Sequence, residues 1–479
     1  MVTKNTMKIR SSVKSVGVHH TEKTPSKGLI LSLIIITSFI NPFLGAAINI
    51  ALPAIGQDFS LNAVNLSWVA MSFLLASAVF LVPLGKLADI KGRKRIFLYG
   101  NIIIAVTSIL CALSQSGTIL IVMRGFQGLG SAMVFGTGVA IITSVYPPGE
   151  RGKAIGFSVT AVYTGLSLAP FLGGILTQYL GWRSIFYFTL PFEAAVITVT
   201  RVWIRQEWAD AAGERFDLAG SIIYVVSMTA FMFGFSKLPG TMAILLTGTG
   251  LAGVVVFTLL QLRLMNPVFN VKLFTTNRLF AFSNLAALIN YATTFAITFL
   301  MSLYLQIVLG LSPRDAGMIL VTQPVVMAVV ASVSGRLSDH YDPRYLSSTG
   351  MGIIVAGLIM LTMVSGGASF TYLILTLGIV GLGFGLFSSP NTNAIMGSVG
   401  RKYLGIASAT VGTMRLTGQM VSMGIATLVL HIFMGNRPLG HQDVPEFLTS
   451  MKITFIVFVI LCTLGVFASL ARGSARNDA

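Results

Sequence analysis

The stretch Gly85-Lys-Leu-Ala-Asp89-Ile-Lys-Gly92-Arg93-Lys94-Arg95 is a small-residue, charged hinge between two long apolar runs, Trp68 to Leu87 and Ile96 to Leu113. Each run is about 20 residues, long enough for one helix to cross a hydrocarbon core of roughly 30 Å. The hinge therefore joins two membrane spans, and its basic residues place it on the face that retains Lys and Arg. That fixes the topology of everything else in the chain.

Composition agrees: 54% of residues are hydrophobic and 10% charged, against about 25% charged in soluble domains, and the mean hydropathy is +0.83. A string of soluble domains is excluded and a polytopic membrane protein is expected. The net charge of +17 sits mostly in short connectors, where it reads as topology signal and contact with anionic lipid, not as a nucleic-acid surface. Cys111 and Cys462 fall inside apolar spans without metal-like spacing, so neither metal, cofactor nor disulfide is expected. Residues 1–28 are polar, basic and aperiodic, a disordered tail in expectation. The run from Leu29 to Pro53 is too long for a signal-peptide core and leads to no A-x-A-like site, so it counts as the first span.

Apolar runs between Gly, Pro and charge punctuation predict fourteen helices: 29–53, 67–87, 96–114, 118–143, 153–179, 184–204, 218–236, 241–262, 279–306, 314–334, 346–366, 369–390, 404–432 and 449–471. With the N-terminus inside, 25 of the 32 Lys and Arg lie in inner segments and five in outer ones (Arg183, Lys237, Arg314, Arg437, Lys452); Arg124 and Arg415 complete the set. Such asymmetry in short loops predicts that both termini are cytoplasmic.

Gly335-Arg-Leu-Ser-Asp339-His-Tyr-Asp-Pro343-Arg344 repeats the G-x-L-x-D pattern of the hinge, again on the inner side. If the spans at 218–262 are an insertion, the others divide six and six with equivalent hinges, the signature of a two-halved transporter. The expected organisation is a cytoplasmic tail (1–28), a six-helix half (29–204), two extra helices with linkers (205–278), a second six-helix half (279–471) and a short cytoplasmic tail (472–479).

Several segments together resemble the major facilitator superfamily, and within it the fourteen-span drug/proton antiporters. Gly85–Arg95 is similar to that superfamily's G-x-L-a-D-r-x-G-r-r/k signature. Leu120-Ile-Val-Met-Arg124-Gly125-Phe-Gln127-Gly128-Leu-Gly130-Ser-Ala132 resembles the fourth-helix motif l-x-x-x-R-x-x-q-G-x-g-a-a. Gly165-Leu-Ser-Leu-Ala169-Pro170-Phe-Leu-Gly173-Gly174 resembles the fifth-helix antiporter motif g-x-x-x-G-P-x-x-G-G, with Ala169 for one glycine. Gly181-Trp182-Arg183-Ser-Ile-Phe186 and Asn49-Ile-Ala-Leu-Pro53 resemble the start of the sixth helix and the end of the first-helix motif. In the last of these Leu44 stands where the family usually has an acid, and Ala46 where it has Thr. The resemblance implies an all-α fold of two six-helix halves plus two inserted helices, multidrug efflux by proton-coupled antiport, and a plasma-membrane location.

Asp89 can meet Arg93 across the hinge, and with Gly85, Gly92, Gly335 and Asp339 is expected to form gating latches, since a charge pair made in one conformation biases that conformation. Gly165, Ala169 and Gly173, together with Gly174, make a smooth helix face for close packing, and Pro170 permits a bend. Arg124 lies about 9 Å below the end of its span, among Gln127, Gly128 and Gly130, and Arg415 about 16 Å into its own.

Of fifteen Asp and Glu only Glu193 is well inside a span, about 15 Å from its boundary. A carboxylate there, with Arg124 as a candidate partner, can exchange a proton as water access alternates. Polar positions within spans, Asn41, Tyr163, Asn290, Tyr291, Gln323, Arg415 and Gln419, are the substrate-pocket candidates. Gly381-Leu-Gly383-Phe-Gly385 lies in a span and lacks phosphate-loop spacing, so nucleotide binding and ATP-driven transport are rejected. No catalytic constellation is present; the chain is expected to be a monomeric proton-coupled exporter of small hydrophobic or amphipathic compounds, or else a carrier for one metabolite or organic anion. A sensor or scaffold lacks a soluble domain to relay a signal.

Overall fold

The computed structural model describes residues 26–264, 269, 271–338, 340–400, 404–435 and 443–473. The first 25 residues, residues 474–479 and the hinge residue Asp339 lie outside the described residues. The first half comprises α1 (Lys27–Phe59), α2 (Ala63–Lys91), α3 (Arg93–Ala112), α4 (Gly117–Val145), α5 (Pro148–Leu180) and α6 (Ser184–Trp203). α7 (Leu218–Phe235), α8 (Thr241–Arg263) and the single-turn α9 (Lys272–Thr276) follow. The second half contains α10 (Arg278–Leu303), α11 (Pro313–Leu320), α12 (Thr322–Leu337), α13 (Pro343–Thr362), α14 (Phe370–Gly397), α15 (Leu404–Met434) and α16 (Val444–Ala471). Fourteen of the described helices or helix pairs are long and apolar enough to cross a membrane.

Several helices begin where a side chain can satisfy a free N–H group. Ser26, Asn62, Ser116, Asp217, Asn277, Ser312 and Ser369 each accept a bond from the N–H three residues on. Most run past the apolar windows, because hydropathy marks the hydrocarbon-facing part and the hydrogen-bonded ladder continues through polar residues such as Gln57 and Asp58 until Ser60, at φ 50°, ends α1. The span expected at 314–334 is two helices, broken at Val321. Pro324 has no N–H to offer the carbonyl of Leu320, which explains the break. A π-helical turn, Tyr304–Val308, ends α10 and leaves Gln306 Nε2 bonded to the Ile50 carbonyl of α1 at 3.0 Å.

The halves repeat each other at their closest helix approaches. A Cβ on Gly128 would collide with the Phe73 carbonyl oxygen, and one on Gly381 with that of Gln323. Gly130 faces the Gly100 carbonyl as Gly383 faces that of Gly350, and Gly165 faces that of Phe39 as Gly418 faces that of Leu288. Each pair recurs about 250 positions later, as a duplicated architecture requires.

Between the halves, the face opposite the termini is closed by Ser302 Oγ on the Asn49 carbonyl (2.7 Å) and Ser67 on Thr427 (2.8 Å), and by α11 on α5, where Gly174 meets the Pro313 carbonyl and Gly317 that of Pro170. α2 and α15 form the other long seam. α7 covers this seam, with Met228 and Met232 among Leu75, Val79, Leu416 and Met420 and Phe233 against Trp68, while α8 packs chiefly on α7.

Two α4 glycines separate packing from propensity. Gly128→Ala drives a methyl into backbone and should cost roughly 1–3 kcal/mol, whereas Gly125, with open space where a Cβ would sit, should tolerate Ala within about 0.5 kcal/mol. Thermal unfolding of the two purified variants in one detergent checks this; equal midpoints would contradict it.

Candidate functional site

The hinge works as a clamp. Gly92 adopts φ +116° and lies directly beneath the Glu207 side chain, which fills the place a Cβ would take, so only glycine fits this turn. Asp89 Oδ1 accepts from Arg93 at 2.7 Å, and the Arg93 guanidinium continues to Ser144 Oγ (2.6 Å) on α4 and to Asp210 (2.7 Å). The connector after α6 lies across the hinge as a strap. Arg93 N–H donates to the Trp208 carbonyl (2.8 Å), Ala211 N–H to that of Asp89 (3.0 Å), and Lys94 N–H to Glu207 Oε1 (2.8 Å). Ion pairs Lys86–Glu214 (2.6 Å) and Arg95–Glu207 (3.5 Å) complete it. By position in the chain Glu207, Asp210 and Glu214 are ordinary loop acids. The signal that could have found them is charge complementarity with the hinge, five basic residues facing three acids.

The second hinge is built differently. Gly335 packs near Ser389 much as Gly85 packs on Gly136, but Pro343 stands where the repeat would place the counterpart of Arg93. A guanidinium arrives instead from the end of α16. Arg472, 2% exposed, donates to the Pro343 carbonyl (2.5 Å), Asn391 Oδ1 (2.8 Å) and Ser283 Oγ (3.4 Å). Burial pulls this guanidinium down to about 10, with the Asp342 carboxylate opposing the shift. In sequence Arg472 belongs to the C-terminal tail, and nothing local marks it.

Within the bundle, Arg124 and Glu193 are both fully buried but are not brought together. Arg124 donates to the Val69 carbonyl (3.2 Å) and to Gln127 Oε1 (2.6 Å), and stacks on Phe73 at 4.4 Å; Gln127 Nε2 in turn donates to Ser108 Oγ (2.7 Å). Together they tie α2, α3 and α4 to one another inside the first half. Glu193 lies on α6, which packs on α3, α1 and α5, and neither of its carboxylate oxygens has a hydrogen-bond partner.

Tyr291 lies near both Tyr163 and Arg415. The Tyr163 hydroxyl is hydrogen-bonded to Ser388 Oγ across the two halves. The Arg415 guanidinium stands over Phe135 of α4 at 5.3 Å. Asn290 is buried with both amide atoms unpartnered, while Asn41 donates to the Thr37 carbonyl (3.0 Å) and leaves its Oδ1 unpartnered. Gln323 offers its backbone carbonyl to Gly381, and Gln419 is buried on α15. In the antiporter-motif segment Gly165 and Gly173 pack on α1, and Gly174 and Pro170 on α11. None of these arrangements contains a cluster of three or more His, Cys, Asp or Glu among the described residues that would hold a metal.

Two helical halves meeting around polar groups at mid-membrane, with charged hinges at one face, define a secondary transporter. The model of the Major Facilitator Superfamily matches residues 34–276 and 283–477, and the chain belongs to that family. It is 29% identical over 392 residues to the riboflavin transporter RibZ of Clostridioides difficile (81% of this chain, 85% of that protein). To the multidrug resistance protein Stp of Mycobacterium tuberculosis H37Rv it is 31% identical over 396 residues (81% and 73%). A bacterial homologue of the human lysosomal transporter Spinster, in an inward-facing, unoccupied conformation, superposes with TM-score 0.65 at 18% identity, covering 93% of this chain and 97% of that one. The chain is a multi-pass membrane transporter and not an enzyme.

The strap is testable apart from the fold. Its ion pairs are partly exposed, so each contributes little to stability. The triple variant Glu207→Gln, Asp210→Asn, Glu214→Gln should unfold within about 5 °C of wild type yet be cut faster by trypsin at Arg205 and Arg215. Unchanged cleavage would mean that the strap is held by its backbone bonds alone.

Proposed function

We propose that this transporter is a proton-coupled antiporter that exports small hydrophobic or amphipathic compounds, of the multidrug-efflux kind. It acts as a monomer in the plasma membrane with both termini in the cytoplasm. The orientation is supported by the 25-to-5 distribution of Lys and Arg between the two sides, and the export reading by the similarity to a multidrug resistance protein. One observation carries the coupling: Glu193 is a buried carboxylate in mid-helix with no partner on either oxygen. An uncompensated charge there would cost several kcal/mol, so protonation of this group and its exposure to water are linked. Pro191, inside α6, leaves the helix one backbone bond short and gives the seam freedom to open. The Asp89–Arg93 clamp and the Gly174–Gly317 contact are then the parts that form and release as the halves rock. In this reading Gly85, Gly92, Gly335 and Asp339 serve the gates and Gly165, Pro170, Gly173 and Gly174 the α5 seal. A second reading, a carrier of the same fold for one metabolite or organic anion, draws on the similarity to a riboflavin transporter.

Glu193→Gln keeps size and hydrogen-bonding capacity and removes titration. In proteoliposomes with an imposed pH gradient it should lower uphill export by about tenfold or more, while downhill counterflow persists and Glu193→Asp retains part of the coupling. Uphill export at the wild-type rate in Glu193→Gln would overturn the assignment.

A further inference from the structure

Arg415 is placed unlike the other arginines that the bundle buries. Arg93, Arg124 and Arg472 are each held by hydrogen bonds to carbonyl, hydroxyl, amide or carboxylate oxygens. Arg415 is half-buried, about 16 Å along α15, and its guanidinium stands over the face of Phe135. No ion pair or hydrogen bond joins it to any described residue.

Among the described residues no carboxylate is placed to neutralise it either. Asp58, Asp315, Asp443 and Glu446 sit at the helix ends of one face, and Asp89, Glu150, Glu207, Asp210, Glu214, Asp217 and Asp342 at those of the other. Glu193 is on α6, whose packing is with first-half helices. The guanidinium stands over the Phe135 ring with Tyr291 nearby; Phe384 is edge-on to Tyr291 at 5.3 Å, and Tyr163, also near Tyr291, is hydrogen-bonded to Ser388. α15 borders both halves, packing on α2 and α4 as well as α10. A bare guanidinium at mid-membrane is costly unless it serves a ligand or a water-filled path, and its planar donor fork is matched to acceptor pairs and aromatic faces.

We propose that this cluster is the charge filter of the transport path, selecting planar aromatic compounds that carry a negative charge or an acceptor-rich edge and rejecting lipophilic cations. This deepens the export reading by naming its substrate class. The ligand's ring lies among Phe135, Tyr163 and Tyr291, its acceptor edge takes the Arg415 N–H groups, and the phenols and Ser388 supply further hydrogen bonds. A cation in the same place meets a like charge with no acid among the described residues to offset it. Leu44, buried in α1, points the same way, since α1 has its one acid, Asp58, at its end and none within the span.

Two planar tricyclic dyes of nearly equal size, the anion resorufin and the cation thionin, test the proposal. Binding is read by fluorescence anisotropy on the purified full-length protein in detergent, without a pH gradient. Wild type should bind resorufin about tenfold or more tighter than thionin. Arg415→Gln should weaken resorufin by about tenfold and leave thionin unchanged or stronger, and Arg415→Lys should fall between. If Arg415 merely braces α15 on α4, Arg415→Gln weakens both dyes alike and lowers the unfolding midpoint. That result, equal affinities in wild type, or binding of neither dye overturns the proposal. A failure of proton coupling leaves this gradient-free assay untouched, and a failure of charge preference leaves gradient-driven export of neutral amphiphiles untouched.

Discussion

Helices in a bilayer hide nothing from water by touching one another, because lipid tails are as apolar as leucine, so their association depends on how closely the backbones approach. The bundle is organised by that constraint. α4 rides on α2 and α3 at Gly128 and Gly130, α5 on α1 at Gly165 and Gly173, and the second half repeats the scheme at Gly381, Gly383 and Gly418. The seal between the halves uses the same device, with Gly174 and Gly317 bringing α5 and α11 into backbone contact. Ala169, fully buried in that helix, adds only a methyl group, which is why the departure from glycine there is accommodated.

At the terminal face the constraint changes, because water is present and charge pairs are cheap to break. The hinge–strap clamp is built of partly exposed ion pairs around one well-covered arginine, Arg93. Such pairs hold geometry without much binding energy, which suits the proposed role of a part that releases in each cycle. The second hinge reaches a related end from another direction, with Arg472 bridging α10, α14 and the start of α13.

Arg124, Glu193 and Arg415, ionisable groups in mid-bundle, have three different solutions. Arg124 is held by a carbonyl, an amide oxygen and an aromatic face, with its Nη2 unpartnered, and so ties the first half together. Glu193 has no partner, and the proton is its natural counterpart. Arg415 faces aromatic rings at the junction of the halves. The proposed mechanism rests on which charges the fold leaves unanswered.

The spans, their alternating orientation, the hinge and the glycine faces were legible in the residues themselves, because hydropathy, charge asymmetry and small-residue spacing act over a helix or a short loop. The Asp89–Arg93 pair, one helical turn apart, was legible for the same reason. The break at Val321 was not legible in the sequence, because hydropathy runs through it and predicts one span at 314–334. What only the tertiary structure decided lies at long range. Tyr163 meets Ser388 across 225 positions, the strap acids land on the hinge, Arg472 enters the second hinge, and Arg124 is kept away from Glu193. Period and composition determine which face of a helix is small, apolar or charged; which neighbour that face meets is set by the packing of all fourteen helices together, where a shift of one turn exchanges every partner.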